Sequence, residues 1–380
     1  SLPLSQRLRQ AMSPLIWGGL DRFFELKMRR GTPSVLRGTV KVAGYFAESH
    51  GIAASAKRCA DALEELNFPV ERVDLGAPTH VSLLQRSKQR FAPGGAWIFH
   101  VNPPELVVAI ASVGAVSLKQ AFVAGYWSWE LPRAPSLWLR RKALVDEVWT
   151  PSTHTAQALK DNSATPVRVV PHPIGLASDP DLRMISRQRL QLPATKFIAA
   201  TLFDFRSSFA RKNPLGAIKA FREAFGDDPT VMLVVKAQHG EFAPAQFAEL
   251  AQAAAAANIT VIDEVWSDSD AKCLASAADV LLSLHRAEGF GLTLAEAMAA
   301  GTPVIATGWS GNTEFMSDYG TEVKVTLRRI EDPQGIYSGQ DWAEPDIAHA
   351  AELLRRLRAD DDWRQSLIAR GRRLVEQRLS

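Results

Sequence analysis

The sequence predicts an α/β protein of two domains, and three observations carry that prediction. Short apolar runs rich in Val, Ile and Ala recur along the chain, helical patterns separate them, and 380 residues exceed the usual single-domain size. Alternation of this kind implies parallel sheets joined by crossover helices. In the first half, strands are expected at Val40 to Phe46, Val70 to Asp74, Trp97 to Val101, Ala121 to Trp127, Glu147 to Thr150 and Val167 to Val170, with Ile52 to Leu66 as the first crossover helix. In the second half, strands are expected near Phe197, Val231, Ile259, Val280, Val304 and Val323. Ala251 to Ala257 reads as helix on its alanines, and Pro345 to Leu379 as helical with a charged face. The prolines of Val169-Val170-Pro171-His172-Pro173-Ile174-Gly175 restrict the backbone and mark the domain boundary. The expected division is an N-terminal extension over residues 1–38, a first Rossmann-like domain over 39–172 and a second over 173–380, which includes the C-terminal helices.

Composition narrows the function. A hydrophobic content of 46% is globular, and a net charge of +3 is too small to argue for a nucleic-acid partner. Cys59 and Cys273 are the only cysteines and fall in different expected domains, so neither a disulfide framework nor a cysteine metal cluster is expected, and a cytoplasmic location is. No eighteen-residue apolar run is present to span a membrane. The chain begins with Ser1 rather than Met, which leaves an upstream targeting segment open.

The most informative run is His285-Arg286-Ala287-Glu288-Gly289-Phe290-Gly291-Leu292-Thr293-Leu294-Ala295-Glu296, which follows the buried strand at Val280 and leads into a helix from Thr293 to Ala300. Gly289 and Gly291 allow positive φ and close approach of backbone to a ligand, and the helix start offers free N–H groups with a partial positive charge. That geometry suits a diphosphate. Glu288 before the helix and Glu296 in its expected first turn flank the anion position, where they accept from hydroxyls but repel phosphate. By itself the pattern also fits an ordinary glycine turn with two solvated glutamates. Upstream, Phe203-Asp204-Phe205-Arg206 leads through Ser207 to Ala210 into Arg211-Lys212-Asn213-Pro214. Arg206 and Lys212 offer fixed positive charge to an anionic group such as a diphosphate, and Arg211 is able to substitute for either, while by itself a basic loop also fits a solvated surface. Pro214 is suited to a first helical position.

The Glu288 run resembles the Glu-x7-Glu signature of retaining glycosyltransferases of glycosyltransferase family 4, which have the GT-B fold, and the similarity extends over roughly residues 39 to 378. The resemblance implies two Rossmann-like domains facing each other across a cleft, the first on the acceptor side and the second binding a nucleotide-sugar. It also implies that Glu288 meets the donor sugar, Glu296 the ribose, and the backbone of Gly289, Phe290, Gly291, Leu292 and Thr293 the sugar and phosphates. Arg206 and Lys212 match the spacing of that family's basic pair. Base contacts, largely through backbone, are implied at Val265 and Trp266 in Ile262-Asp263-Glu264-Val265-Trp266. Asp268-Ser269-Asp270 resembles a metal-binding Asp-x-Asp, but Ser267 and Asp270 have the spacing of a helix cap, so neither a metal nor another cofactor is expected.

On the acceptor side the family often has a histidine near Gly125-Tyr126-Trp127-Ser128-Trp129-Glu130, where this chain has none, and Glu130 is the substitute candidate, either orienting a hydroxyl or capping the next segment. His100 at a strand end faces the acceptor or is structural, and His172 ranks below it. Gly51 lies in a loop resembling the one that faces acceptor or phosphates. Residues 1–38 mix Leu8, Trp17, Phe23 and Phe24 with Arg7, Arg9 and Arg22, and Leu137 to Lys142 forms a second basic, aromatic stretch. Both either hold the chain on an anionic membrane surface, at the inner face of the cell membrane, or pack against the domains. The chain ends near where a GT-B enzyme's last helix crosses back, so the crossing is missing or lies beyond Ser380. The expected function is metal-independent, retaining transfer of a hexose from a nucleotide-sugar to a lipid-linked or oligosaccharide acceptor in polysaccharide or glycolipid biosynthesis. The alternatives are a GT-B epimerase or phosphorylase, or a non-catalytic scaffold of an assembly complex.

Overall fold

The computed structural model describes residues 38–76, 91–177, 179, 181–331, 337 and 339–380. The amphipathic reading of the N-terminal extension therefore lies outside the described residues. The chain divides into two compact units. The first runs to Ser128 and adds Arg133–Pro151 and Ala156–Val170; the second comprises Trp129–Pro132, Ser152–Thr155 and Pro171–Ser380.

In the first unit the chain order is β1 (Val40–Gly44), α1 (Gly51–Glu65), β2 (Val70–Asp74), β3 (Ala96–Phe99), α2 (Pro103–Val113), β4 (Phe122–Tyr126), α3 (Ser136–Arg141), β5 (Glu147–Thr150), α4 (Thr153–Ala158, whose first turn groups with the second unit) and β6 (Val167–Val169). The strands form a parallel sheet in the order β2-β1-β3-β4-β5-β6, with Val40 opposite both Val70 and Ala96. Helices on a parallel sheet bury both of its faces, which is why these strands read as apolar runs rather than alternating ones. Trp97, Phe99, Ile110, Val123 and Val148 make the core.

Of the two readings of the basic, aromatic stretch at Leu137 to Lys142, packing against the domain is the one the side chains favour: Trp138, Arg141 and Lys142 are buried, while Arg140 is exposed. Arg141 donates to the carbonyls of Pro103 and Pro104, and Lys142 donates to Leu159 O at 3.2 Å and to Asp161 at 2.6 Å. Their charges are used to tie α3 to its neighbours. Among the described residues no helix is long and apolar enough to cross a membrane.

The second unit continues with α5 (Leu182–Arg189), β7 (Phe197–Leu202), α6 (Phe209–Lys212), α7 (Pro214–Phe225), β8 (Val231–Ala237), α8 (Pro244–Ala253), β9 (Ile259–Asp263), α9 (Asp268–Ala277), β10 (Val280–Ser283), α10 (Leu292–Ala300), β11 (Val304–Thr307), α11 (Thr313–Met316), β12 (Glu322–Val323), β13 (Val325–Arg329), β14 (Asp341–Pro345), α12 (Ile347–Ala359) and α13 (Asp361–Leu379). A second parallel sheet has the order β12-β11-β10-β7-β8-β9. Its core joins Ile198, Leu233, Leu282 and Ile305 to Phe221 and Phe315.

Local chemistry sets the ends of these elements. Pro214 opens α7 behind Asn213, whose side chain accepts from Gly216 N. Gly301 closes α10 in the left-handed conformation. Ser267 accepts from Asp270 N and donates to its carboxylate, so the Asp-x-Asp lookalike is a helix cap. The alanine run departs from expectation: α8 ends at Ala253, because buried Asn258 donates to Gly226 O and Asp228 O and fixes the start of β9, so the chain must turn before it. The segment after Pro345 is two helices, broken at Asp360, which accepts from Trp363 N as the cap of α13. The antiparallel hairpin β13–β14 was not foreseen.

Candidate active site

The order of the second sheet places the site. Successive strands run outward in one direction from β7 through β8 and β9, and in the other from β10 through β11 and β12, so the sheet reverses between β7 and β10. Loops leaving the carboxyl ends of two such strands diverge and open a crevice. The loop after β7 carries Arg206 and Lys212; the loop after β10 carries Glu288.

Hydrogen bonds stitch these loops together. Arg286 N donates to Arg211 O at 2.7 Å, Arg211 donates through one terminal nitrogen to Ala287 O at 2.7 Å, and Asn213 donates to Leu284 O at 2.8 Å. From the other side, Glu288 N donates to Ser310 Oγ and Gly311 N to Glu288 O, each at 2.8 Å. Gly311 packs so tightly that a Cβ there would lie 2.0 Å from Gly289 O. Of the two glycines expected to take positive φ, Gly291 does, at 90°, as the residue before α10; Gly289 instead supplies the backbone that Gly311 packs against.

Lys212 donates to Glu288, and the buried Arg211 guanidinium lies 3.6 Å from the same carboxylate oxygen and 3.5 Å from Glu130. Burial pushes the Glu288 carboxyl up, but Lys212, Arg211 and His285 outweigh it and hold it at about 2. Burial likewise opposes charge on Arg211, whereas Glu130 and Glu288 favour it, and the net direction is upward. Behind Glu288, the fully buried His285 is pushed down to about 4, chiefly by burial, and is neutral at pH 7. Asn312 spends its amide on Thr307 O, so its oxygen accepts from His285 Nε2–H at 3.0 Å, and His285 Nδ1 accepts from Ser283.

The sequence-derived residues fall into groups. Glu288, Lys212, Arg211 and Glu130 come together. Arg206 stands on Asp204, with Nη2 at 3.0 Å from the carboxylate, and is more than a third exposed. Burial raises the Asp204 carboxyl, but bonds from Arg206 and Gln238 bring it below its usual range. Glu296 lies past the first turn of α10 rather than within it, 3.8 Å from Lys272. The Phe290 side chain is buried against His172 and Phe315, so only its backbone is available, while Leu292 and Thr293 open α10. Val265 is exposed beside Trp266, whose ring lies 4.8 Å from Lys236 Nζ. In the first unit Gly51 is the first residue of α1 rather than part of a loop, with open space beside it. His100 is buried, 2.7 Å from Ser55 Oγ and stacked on Tyr126.

Other contributors were not anticipated. Arg286 holds Glu344 of β14 through paired bonds of 2.6 and 2.9 Å, and its carbonyl accepts from Ala343 N at 3.0 Å, which docks the hairpin beside the Glu288 loop. The connection between β13 and β14 brings Tyr337 to a hydrogen bond with Arg211 and to within 5.9 Å of the Trp129 ring. The Ser310-Gly311-Asn312 turn, which bonds Glu288 and His285, carried no expectation.

Residues 187–334 match the family model described as Glycosyl transferases group 1. Arg206, Arg211, Lys212 and Glu288 lie inside that segment, and Glu130 lies outside it. Among solved structures, the chain is similar to a glycosyltransferase from Rickettsia africae (15% identity, 90% of this chain and 93% of that one, TM-score 0.64) and to Anabaena HepE in complex with UDP and glucose (16%, 90% and 95%, TM-score 0.58). It is also similar to WaaG, a glycosyltransferase involved in lipopolysaccharide biosynthesis (15%, 89% and 95%, TM-score 0.58). No curated protein sequence matches the chain. The fold is GT-B, with two Rossmann-like domains. Family match and fold together support a glycosyltransferase.

Proposed function

We propose that the chain is a retaining, metal-independent hexosyltransferase of the family 4 type, acting on a nucleoside-diphosphate sugar. The observation that carries this is Glu288, kept ionised by Lys212 and Arg211 at the glycine turn that opens α10, where the sheet reverses. In this reading Lys212 and Arg206 neutralise the departing diphosphate together with the start of α10. Glu288 accepts from a hydroxyl of the donor sugar, Glu296 from the ribose, and the backbone near Val265 and Trp266 meets the base. The acceptor oxygen bonds to the anomeric carbon on the face that the diphosphate leaves. The bond from that carbon to the phosphate oxygen breaks, and the acceptor proton passes to the same oxygen, so no protein base is needed.

UDP-glucose is the first donor to try, because HepE was solved with UDP and glucose. A lipid-linked acceptor, in polysaccharide or glycolipid assembly at a membrane surface, is the acceptor class suggested by the likeness to WaaG.

A thermal-shift panel of UDP, GDP, ADP and their glucose conjugates tests the donor reading. Ligand at a hundred times its dissociation constant adds about 2.7 kcal/mol of stability, or roughly 5–10 °C for a unit of this size. A shift with one nucleotide family, abolished by Lys212→Ala, is expected. No shift with any of them would favour a scaffold, and an inverted anomeric product would refute retention.

A further inference from the structure

The two cations beside Glu288 are not equivalent. Lys212 is a single ammonium on a flexible stem with 24% of its side chain exposed, whereas Arg211 is 6% exposed and held at several points. Arg211 donates to Ala287 O and Ser207 Oγ, lies 3.5 Å from Glu130, and hydrogen-bonds Tyr337. In the donor reading above, on which this inference rests, the Lys212 ammonium is also the group that the diphosphate needs. Drawing it to phosphate takes the nearest counter-charge from a carboxylate that is largely out of water, and such a group takes up a proton unless another cation remains. A protonated Glu288 then loses acceptor capacity toward a sugar hydroxyl.

We propose that Arg211 is a positioning residue that keeps Glu288 ionised and in place while Lys212 turns to the diphosphate. Its anchoring fits this task. Glu130 balances its charge from the far side, and Tyr337 ties it to the hairpin that Arg286 and Glu344 clamp to the same loop. The groups that face Glu288 are Lys212 and Arg211 from α6 and His285 from the end of β10; Glu130 and Tyr337 act on it through Arg211.

Lys212→Ala mimics the moment at which the ammonium has left. Carboxyl 13C titration between pH 7 and 4, with the Glu288 resonance assigned by its loss in Glu288→Gln, reads the consequence without added nucleotide. Glu288 is expected not to titrate in that range in the wild type or in Lys212→Ala. In Lys212→Ala combined with Arg211→Met it is expected to titrate above the ordinary glutamate value of 4.5. Lys212→Ala with Arg211→Lys retains a cation and should return toward Lys212→Ala, and Tyr337→Phe guards against a misfolded Arg211 variant by moving the midpoint the same way, by less. Identical titration with and without Arg211 would overturn the proposal. Binding of the nucleotide panel separates this from the donor reading. Arg211→Met should weaken the glucose conjugate ~10-fold more than the bare nucleotide, since one charge-assisted bond is at stake. Equal weakening of both would sink the Arg211 role alone, whereas nucleotide binding indifferent to Lys212→Ala would sink the donor reading and this proposal with it.

Discussion

Glu288→Gln separates binding from turnover. The substitution keeps the shape of the side chain and removes its charge, so Lys212 no longer has to leave a carboxylate to reach a phosphate. A net charge-assisted hydrogen bond is worth about 1.5–3 kcal/mol. Glutamine retains part of it, which leaves a gain of ~1–2 kcal/mol for the bare nucleoside diphosphate, or roughly five- to thirtyfold tighter binding. The same change weakens the bond to the sugar hydroxyl when it matters for reaction, and turnover should fall roughly ten- to a hundredfold. Titration calorimetry with UDP, GDP and ADP gives the first quantity, and nucleotide release from the glucose conjugate gives the second. The two should move in opposite directions. Weaker nucleotide binding together with unimpaired turnover would refute the idea that Glu288 competes with the diphosphate for Lys212 and serves the sugar.

His285 adds a stability effect of definite sign. Its folded pKa of about 4 lies below its ordinary 6.5, so between those values the unfolded chain binds more protons and stability falls as pH drops through the window. A displacement of that order corresponds to about 3 kcal/mol once pH is below 4. Urea denaturation at pH 7, 5.5 and 4 should show that loss in the wild type and a smaller one in His285→Gln; parallel slopes would exclude a buried neutral imidazole. Gly311→Ala drives a methyl into Gly289 O and should cost about 1–3 kcal/mol in thermal stability and weaken the glucose conjugate, while an unchanged melting temperature would mean that the turn does not brace the Glu288 loop.

Much of the fold was legible because parallel strands covered on both faces must be continuous apolar runs. Residues 231–235 and 304–306 are of that kind. The hairpin β13–β14 was missed for the converse reason: Val325–Arg329 is largely exposed and polar, so it carries no burial pattern, and its pairing is fixed by contacts with residues far away in sequence. Within the site, Glu288 and Lys212 were legible as charges next to glycine and proline punctuation. Their mutual contact was not, because it depends on β7 and β10 being neighbours although two strands separate them in the chain. Arg211 was ambiguous for the same cause: only burial distinguishes it from Arg206, and burial is a property of the packed loops.

The charges around these loops compensate one another. Glu288 and Glu130 offset Lys212 and Arg211, and Asp204 offsets Arg206. Side chains alone therefore give a diphosphate little net attraction, and its negative charge must replace an internal partner before any cation is free to serve it. The start of α10 differs, because Gly291 offers no side-chain cap and no acidic residue occupies the first turn, so its amide groups keep their partial positive charge. In the proposed donor reading, a diphosphate gains first from those amides and then from Lys212, whose departure leaves Glu288 to Arg211 and available to a sugar. On that reading the sugar's contact is coupled to the phosphate's arrival, since Lys212 occupies the carboxylate until phosphate draws the ammonium away.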